Sequence, residues 1–127
     1  MSEHDEQAAV VAWAAYKAAN YPDLELLYAI PNGGARHTAV GGKLKAEGVK
    51  AGVPDLHLPV AAQGYHSLYI ELKAVKGRVS AEQAEWHKRL TVEGHRVVVV
   101  RGCEAACREI ADYLGIALDE WEWLSAR

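Results

Sequence analysis

Hydrophobic positions change their spacing several times along the chain, and each change marks an element. Residues 5–20 are rich in alanine, with Val10, Trp13, Ala14 and Lys17 on one stripe at helical spacing, and Pro22 stops further extension. Glu6 falls on the same stripe one turn before Val10, so its carboxylate points along the buried side. Residues 24–30 read as a strand, ended by the flexible run Pro31-Asn32-Gly33-Gly34. A short helix over 38–47 carries Lys43 and Lys45, and Gly48, Gly52 and Pro54 bracket the next turn. Residues 55–60 and 66–75 alternate with a period of two and are joined around Ala62-Gln63-Gly64, which predicts an antiparallel hairpin. A helix over 80–93 starts at a Ser80/Gln83 capping box and stops at Gly94. The four valines Val97–Val100 predict a fully buried, central strand. Residues 103–114 form a last helix ended by Gly115, and the tail 116–127, with Trp121 and Trp123, is expected to dock on the domain or on a second subunit. The order helix–strand–helix–strand–strand–helix–strand–helix describes a small α/β sandwich, a mixed sheet flanked by helices.

A length of 127 residues suits one domain, 1–127, with a core of about 5–114 and a tail of 115–127. Half the residues are hydrophobic and 24% are charged, which is ordinary for a globular chain. There is no apolar run long enough to span a membrane and no signal-peptide pattern, so a cytoplasmic location is expected. Cys103 and Cys107 lie four apart on one helix face and read as small buried thiols. The net charge of -3 hides an asymmetry: residues 36–101 hold 11 Lys and Arg against 6 Asp and Glu, while the ends hold 3 against 11. A surface for a polyanion needs local positive charge, not a basic total.

The hairpin carries the chemistry. With its centre at Gln63, Asp55 lies opposite Glu71 and His57 opposite Tyr69, each pair equidistant from the centre. Opposed side chains share a face at about 5 Å between Cβ atoms. Lys73, two residues beyond Glu71, joins that face, while Leu56, Leu58, Val60, Leu68, Ile70 and Leu72 take the other. Two opposed carboxylates repel unless something compensates, and a divalent cation with oxygen ligands is the natural compensator. The compound pattern Gly52-Val53-Pro54-Asp55 followed by Glu71-Leu72-Lys73 is the Pro-Asp…(Asp/Glu)-x-Lys signature of the restriction-endonuclease-like nucleases. Glu6-Gln7 on the first helix, the Asp55 turn, and Glu71-Leu72-Lys73 with Ser80-Ala81-Glu82-Gln83 together resemble the virus-type replication-repair nuclease family, VRR-NUC. The stretch Ile30-Pro31-Asn32-Gly33-Gly34 with Arg36 looks like phage and bacterial members.

The resemblance implies a restriction-endonuclease-like fold and a role for each matching residue. Asp55, Glu71 and the backbone carbonyl of Leu72 would bind Mg²⁺ or Mn²⁺. Lys73 would be the catalytic lysine, and Gln83 would support the site from the following helix. Glu6 would approach the metal directly or through water, although Glu3 and Asp5 compete for that position. Asn32, Gly33, Gly34, Arg36, His37, Lys43, Lys45 and Lys50 are candidates for contacts with DNA phosphates. His57 reads as either support for the site or a packed strand histidine. His4, His66, His87 and His95 show no metal-ligand spacing. The implied activity is metal-dependent hydrolysis of DNA phosphodiesters, with no organic cofactor. Short stand-alone members resemble homodimeric enzymes that cut branched DNA, including four-way junctions. A less selective flap, nick or end nuclease is the first alternative, and a non-catalytic DNA-binding module the second.

Overall fold

The computed structural model describes residues 2–31 and 38–118, with the side chains of 38–41 excepted. Its elements are α1 (Glu3–Lys17), β1 (Tyr28–Ala29), α2 (Thr38–Ala46), β2 (Leu56–Leu58), β3 (Leu68–Lys73), α3 (Ala81–Val92), β4 (Arg96–Arg101) and α4 (Cys103–Leu114). This is the expected α/β architecture in the expected order. The four strands form one mixed sheet in the order β1-β2-β3-β4, with β3 and β4 parallel and the other pairs antiparallel.

α1 begins earlier than its alanine pattern suggests. The Ser2 hydroxyl accepts the Asp5 N–H at 3.1 Å while the Asp5 carboxylate accepts the Ser2 N–H at 3.2 Å, a capping box that starts the helix at Glu3. Its buried residues are the predicted Val10, Trp13, Ala14 and Lys17. α4 buries Cys103, Ala106, Cys107, Ile110, Ala111 and Tyr113 at helical spacing. These two faces meet Leu56, Leu58, Leu68, Ile70, Leu72 and Val100 of the sheet in a single core. α3 covers the opposite sheet face with no fully buried residue, turning the half-buried stripe Gln83, Trp86, His87 and Leu90 inward. Both cysteines are buried and neither is in a disulfide, and burial pushes the Cys107 thiol well above its ordinary range.

The hairpin pairs as counted, with Leu56 opposite Ile70, His57 opposite Tyr69 and Leu58 opposite Leu68. Its two-residue turn needs positive φ at both corners, supplied by Gln63 (52°) and Gly64 (85°). The Gln63 amide then donates to the Asp112 and Tyr113 carbonyls at the end of α4, at 2.6 and 3.1 Å, and ties the turn to that helix.

Two expectations are corrected. Residues 24–30 are not one strand: Pro22–Leu26 form a 3-10 turn that buries Leu24, and only Tyr28–Ala29 pair. Pro22 at the first position pre-sets the helical φ and favours the turn over extension. β4 is not central. It has β3 on one side and no strand on the other among the described residues, and Val99 is 41% exposed. Its valines satisfy strand propensity without full burial. Trp121 and Trp123 lie outside the described residues.

Candidate active site

Asp55 is placed by the turn before it. Gly52 has φ 92°, and a Cβ there would come 2.9 Å from the Glu82 carbonyl carbon, so only glycine lets this turn lie against the start of α3. Pro54 is fully buried behind it. The Asp55 carbonyl accepts the Ile30 N–H at 2.8 Å, and its carboxylate accepts the Leu72 N–H at 2.7 Å. Asp55 is thus clamped between β1 and β3 although it stands just before β2.

Glu71 is 1% exposed, unusual for a carboxyl. Gln83 Nε2 donates to one oxygen at 3.3 Å, and His87 Nε2 lies 3.2 Å from the other. The Asp55 carboxylate is in hydrogen-bonding contact with it. Burial, that contact and the Asp55 charge push the Glu71 pKa up to about 9, with Lys73 opposing and Glu3 adding to the rise. Burial first, and the Lys73 charge second, hold His87 below its ordinary range. The Glu71–His87 contact at neutral pH is therefore a hydrogen bond between neutral groups rather than an ion pair.

Gln83 organises the rest. Its Oε1 accepts the Ser80 N–H at 2.9 Å, closing the capping box of α3, and also accepts the Lys73 ammonium at 2.6 Å. One amide therefore starts a helix, orients the lysine and covers Glu71. A cleft of about 230 Å³ opens beside the pair, lined by Glu3, His4, Gln7, Ile30, Pro31, Asp55 and Leu72.

Glu6 of α1 bonds to the start of α4. Its Oε2 accepts the Cys103 N–H at 2.5 Å, at the first turn of α4, where Gly102 offers no capping side chain. The buried-side carboxylate has a partner, as its place on the stripe required, and the N-terminus of α4 supplies it. Glu3 is the α1 acid that lines the cleft and whose charge Glu71 feels. Lys43, Lys45 and Lys50 are exposed, and Lys50 lines a separate groove with Glu85, Trp86, Arg89, Leu90 and Glu93. Asn32, Gly33, Gly34, Arg36 and His37 lie outside the described residues. His57 is packed rather than poised: it stacks on Tyr69 at 4.1 Å and belongs to a hydrogen-bonded chain Tyr28–His57–Ser67–His95. His87 was missed because it belongs to no motif; its one signal is the four-residue spacing from Gln83.

No match was found among curated proteins. A solved structure described as a VRR_NUC domain protein is similar over 92% of this chain and 91% of its own, with a TM-score of 0.73 and 28% identity. The VRR-NUC domain profile matches residues 2–104, which carry Asp55, Glu71, Lys73 and Gln83. The chain therefore belongs to the VRR-NUC family, whose membership implies nuclease-type activity on DNA.

Proposed function

We propose that this protein is a metal-dependent endonuclease that hydrolyses phosphodiester bonds in branched DNA. The observation that carries the reading is the buried Glu71 carboxyl pressed against Asp55, with Lys73 aligned beside it by Gln83. Two carboxyls brought together in a desolvated place cost stability, and a bound cation removes that cost.

The donor set fits a hard divalent cation. Among the described residues no three His, Cys, Asp or Glu side chains cluster as a metal cage. Mg²⁺ does not need one, since it takes one or two carboxylates and keeps several waters. Asp55, Glu71 and the Leu72 carbonyl would hold it, with Glu3 lining the same cleft and Glu6 joining α1 to α4. When bound, Mg²⁺ or Mn²⁺ would neutralise phosphate charge and make a coordinated water more acidic.

The chain's own residues supply the rest. Glu71 must release its proton to act as a ligand, and His87 Nε2 at 3.2 Å is placed to receive it. Lys73 holds a positive charge on the same strand face, where it offsets charge on a phosphate and orients the attacking water. Gln83 keeps the ammonium from wandering. Branched DNA and a homodimer fit together, since a two-fold dimer presents two sites to two symmetric strands.

The test is cleavage of four-way junction, flap, nicked and linear duplexes side by side with Mg²⁺ or Mn²⁺. Junction cleavage by a dimer is expected, and Lys73→Ala is expected to lower the rate by a factor on the order of 10² or more. Equal, negligible cleavage by wild type and variant would mean that the protein is not a nuclease. Equal cleavage of all four DNAs would leave a nuclease without junction preference.

A further inference from the structure

The chain reverses immediately after Lys73 in a turn that the site itself does not use. The Gly77 N–H donates to the Ala74 carbonyl at 2.9 Å, which puts Val75 and Lys76 at the corners. Val75 is 84% exposed, the largest value among the exposed large hydrophobic side chains described. Lys76 and Arg78 are also exposed, and no acid lies between Lys73 and Ala81. The turn is nevertheless braced. Arg101, the register partner of Lys73 on β4, donates from Nη1 to the Ala74 carbonyl at 2.6 Å and to the Gly77 carbonyl at 2.7 Å.

A guanidinium holding two carbonyls of one turn fixes the shape of a segment that buries nothing. Such pre-ordering lowers the entropic cost of meeting a partner. The segment's chemistry, two cations around an apolar tip, suits a phosphate backbone with a sugar or base beside it.

We propose that the Arg101-braced turn Ala74–Gly77 grips DNA, with Lys76 and Arg78 on phosphates next to the cleaved bond and Val75 against an unstacked base or sugar. The assignment rests on the nuclease reading, which places the scissile phosphate at Lys73. Three residues of chain put the Lys76 Cα within roughly 11 Å of the Lys73 Cα. A strand carries one phosphate per roughly 3.4 Å of duplex axis, so neighbours of the scissile phosphate come within reach. Arg101 acts as a positioning residue, since its Nη1 is committed to the turn.

The experiment measures binding of fluorescent four-way junction and linear duplex to the full chain in EDTA over a salt series. Lys76→Ala/Arg78→Ala is expected to weaken binding to both DNAs and to reduce the slope of log affinity against log salt by about 2, one per phosphate contact. Lys76→Glu/Arg78→Glu should weaken binding further. Val75→Ala should keep the wild-type slope while losing affinity for the junction more than for the duplex. Wild-type affinity and slope in both double variants would overturn the proposal, and unchanged junction affinity in Val75→Ala would overturn its apolar contact. If the wild type cleaves DNA while the double variants bind normally, the turn assignment alone falls. A wild type that neither binds nor cleaves any DNA overturns the nuclease reading and the turn with it.

Discussion

A carboxyl that is 1% exposed and held against a second carboxylate keeps its proton far longer than it would in the unfolded chain. The Glu71 pKa rises from 4.5 to about 9, so between those values the folded protein holds a proton that the unfolded chain has released. Stability then falls as pH rises through that window in the absence of metal. His87 and His57, both held low, change protonation at more acidic pH and act in the opposite direction there, while the buried Cys107 thiol adds its own loss near pH 9, so the clean range is roughly pH 7 to 8. Thermal melts in EDTA should show Tm dropping across this range, a smaller drop in Glu71→Gln, and a Mg²⁺-induced rise at pH 8 in the wild type only. A Tm independent of pH in EDTA would show that Glu71 ionises like an ordinary carboxyl. The spacing of the site residues was legible in part. Gln83 announced itself through the Ser80 capping box, because a cap is a local event four residues long. His87 did not, because what it touches is reached only after the chain returns to the sheet.

At the scale of elements, period-two alternation specified the hairpin, since a slip of one residue would turn Leu56, Leu58, Leu68 and Ile70 into solvent. The run 24–30 carried no comparable constraint. Seven mostly apolar residues suit a strand or a turn equally, and Pro22 decided for a 3-10 turn. The valine run of β4 recorded strand propensity but not how many strands the sheet would have. Gly52 is the element-scale residue whose replacement says most about the site. Gly52→Ala combines a left-handed φ with a Cβ against the Glu82 backbone, so a loss of about 1–3 kcal/mol is expected by denaturant titration. Cleavage should fall further than stability explains, because the same clash pushes α3, with Gln83 and His87, away from Asp55. A variant that is less stable but fully active would show that α3 tolerates the shift.

The whole molecule is tied together by contacts that no local pattern announces. The Glu6–Cys103 hydrogen bond joins residues 97 apart, linking the first helix to the last. Its partner was not legible because the stripe shows that Glu6 faces inward, not which element faces it. The two α1 acids should separate cleanly on mutation. Glu6→Gln weakens a helix cap and is expected to lower stability by about 1 kcal/mol, whereas Glu3→Gln, on the exposed first turn, should leave the melt unchanged and weaken activation by Mg²⁺. Metal titrations of cleavage beside melts of both variants check this, and the reverse pattern would return Glu6 to the metal. The Gln83 amide has a consequence for motion as well. Helix ends open locally at far lower free energy than the whole fold. Here the fraying of the first turn of α3 would release the lysine and uncover one oxygen of Glu71 in a single event, while His87, a turn further into the helix, would keep its contact with the other. Hydrogen exchange at the Gln83 backbone N–H, which donates to the Ser80 hydroxyl, would report how often that turn opens and the lysine loses its tether.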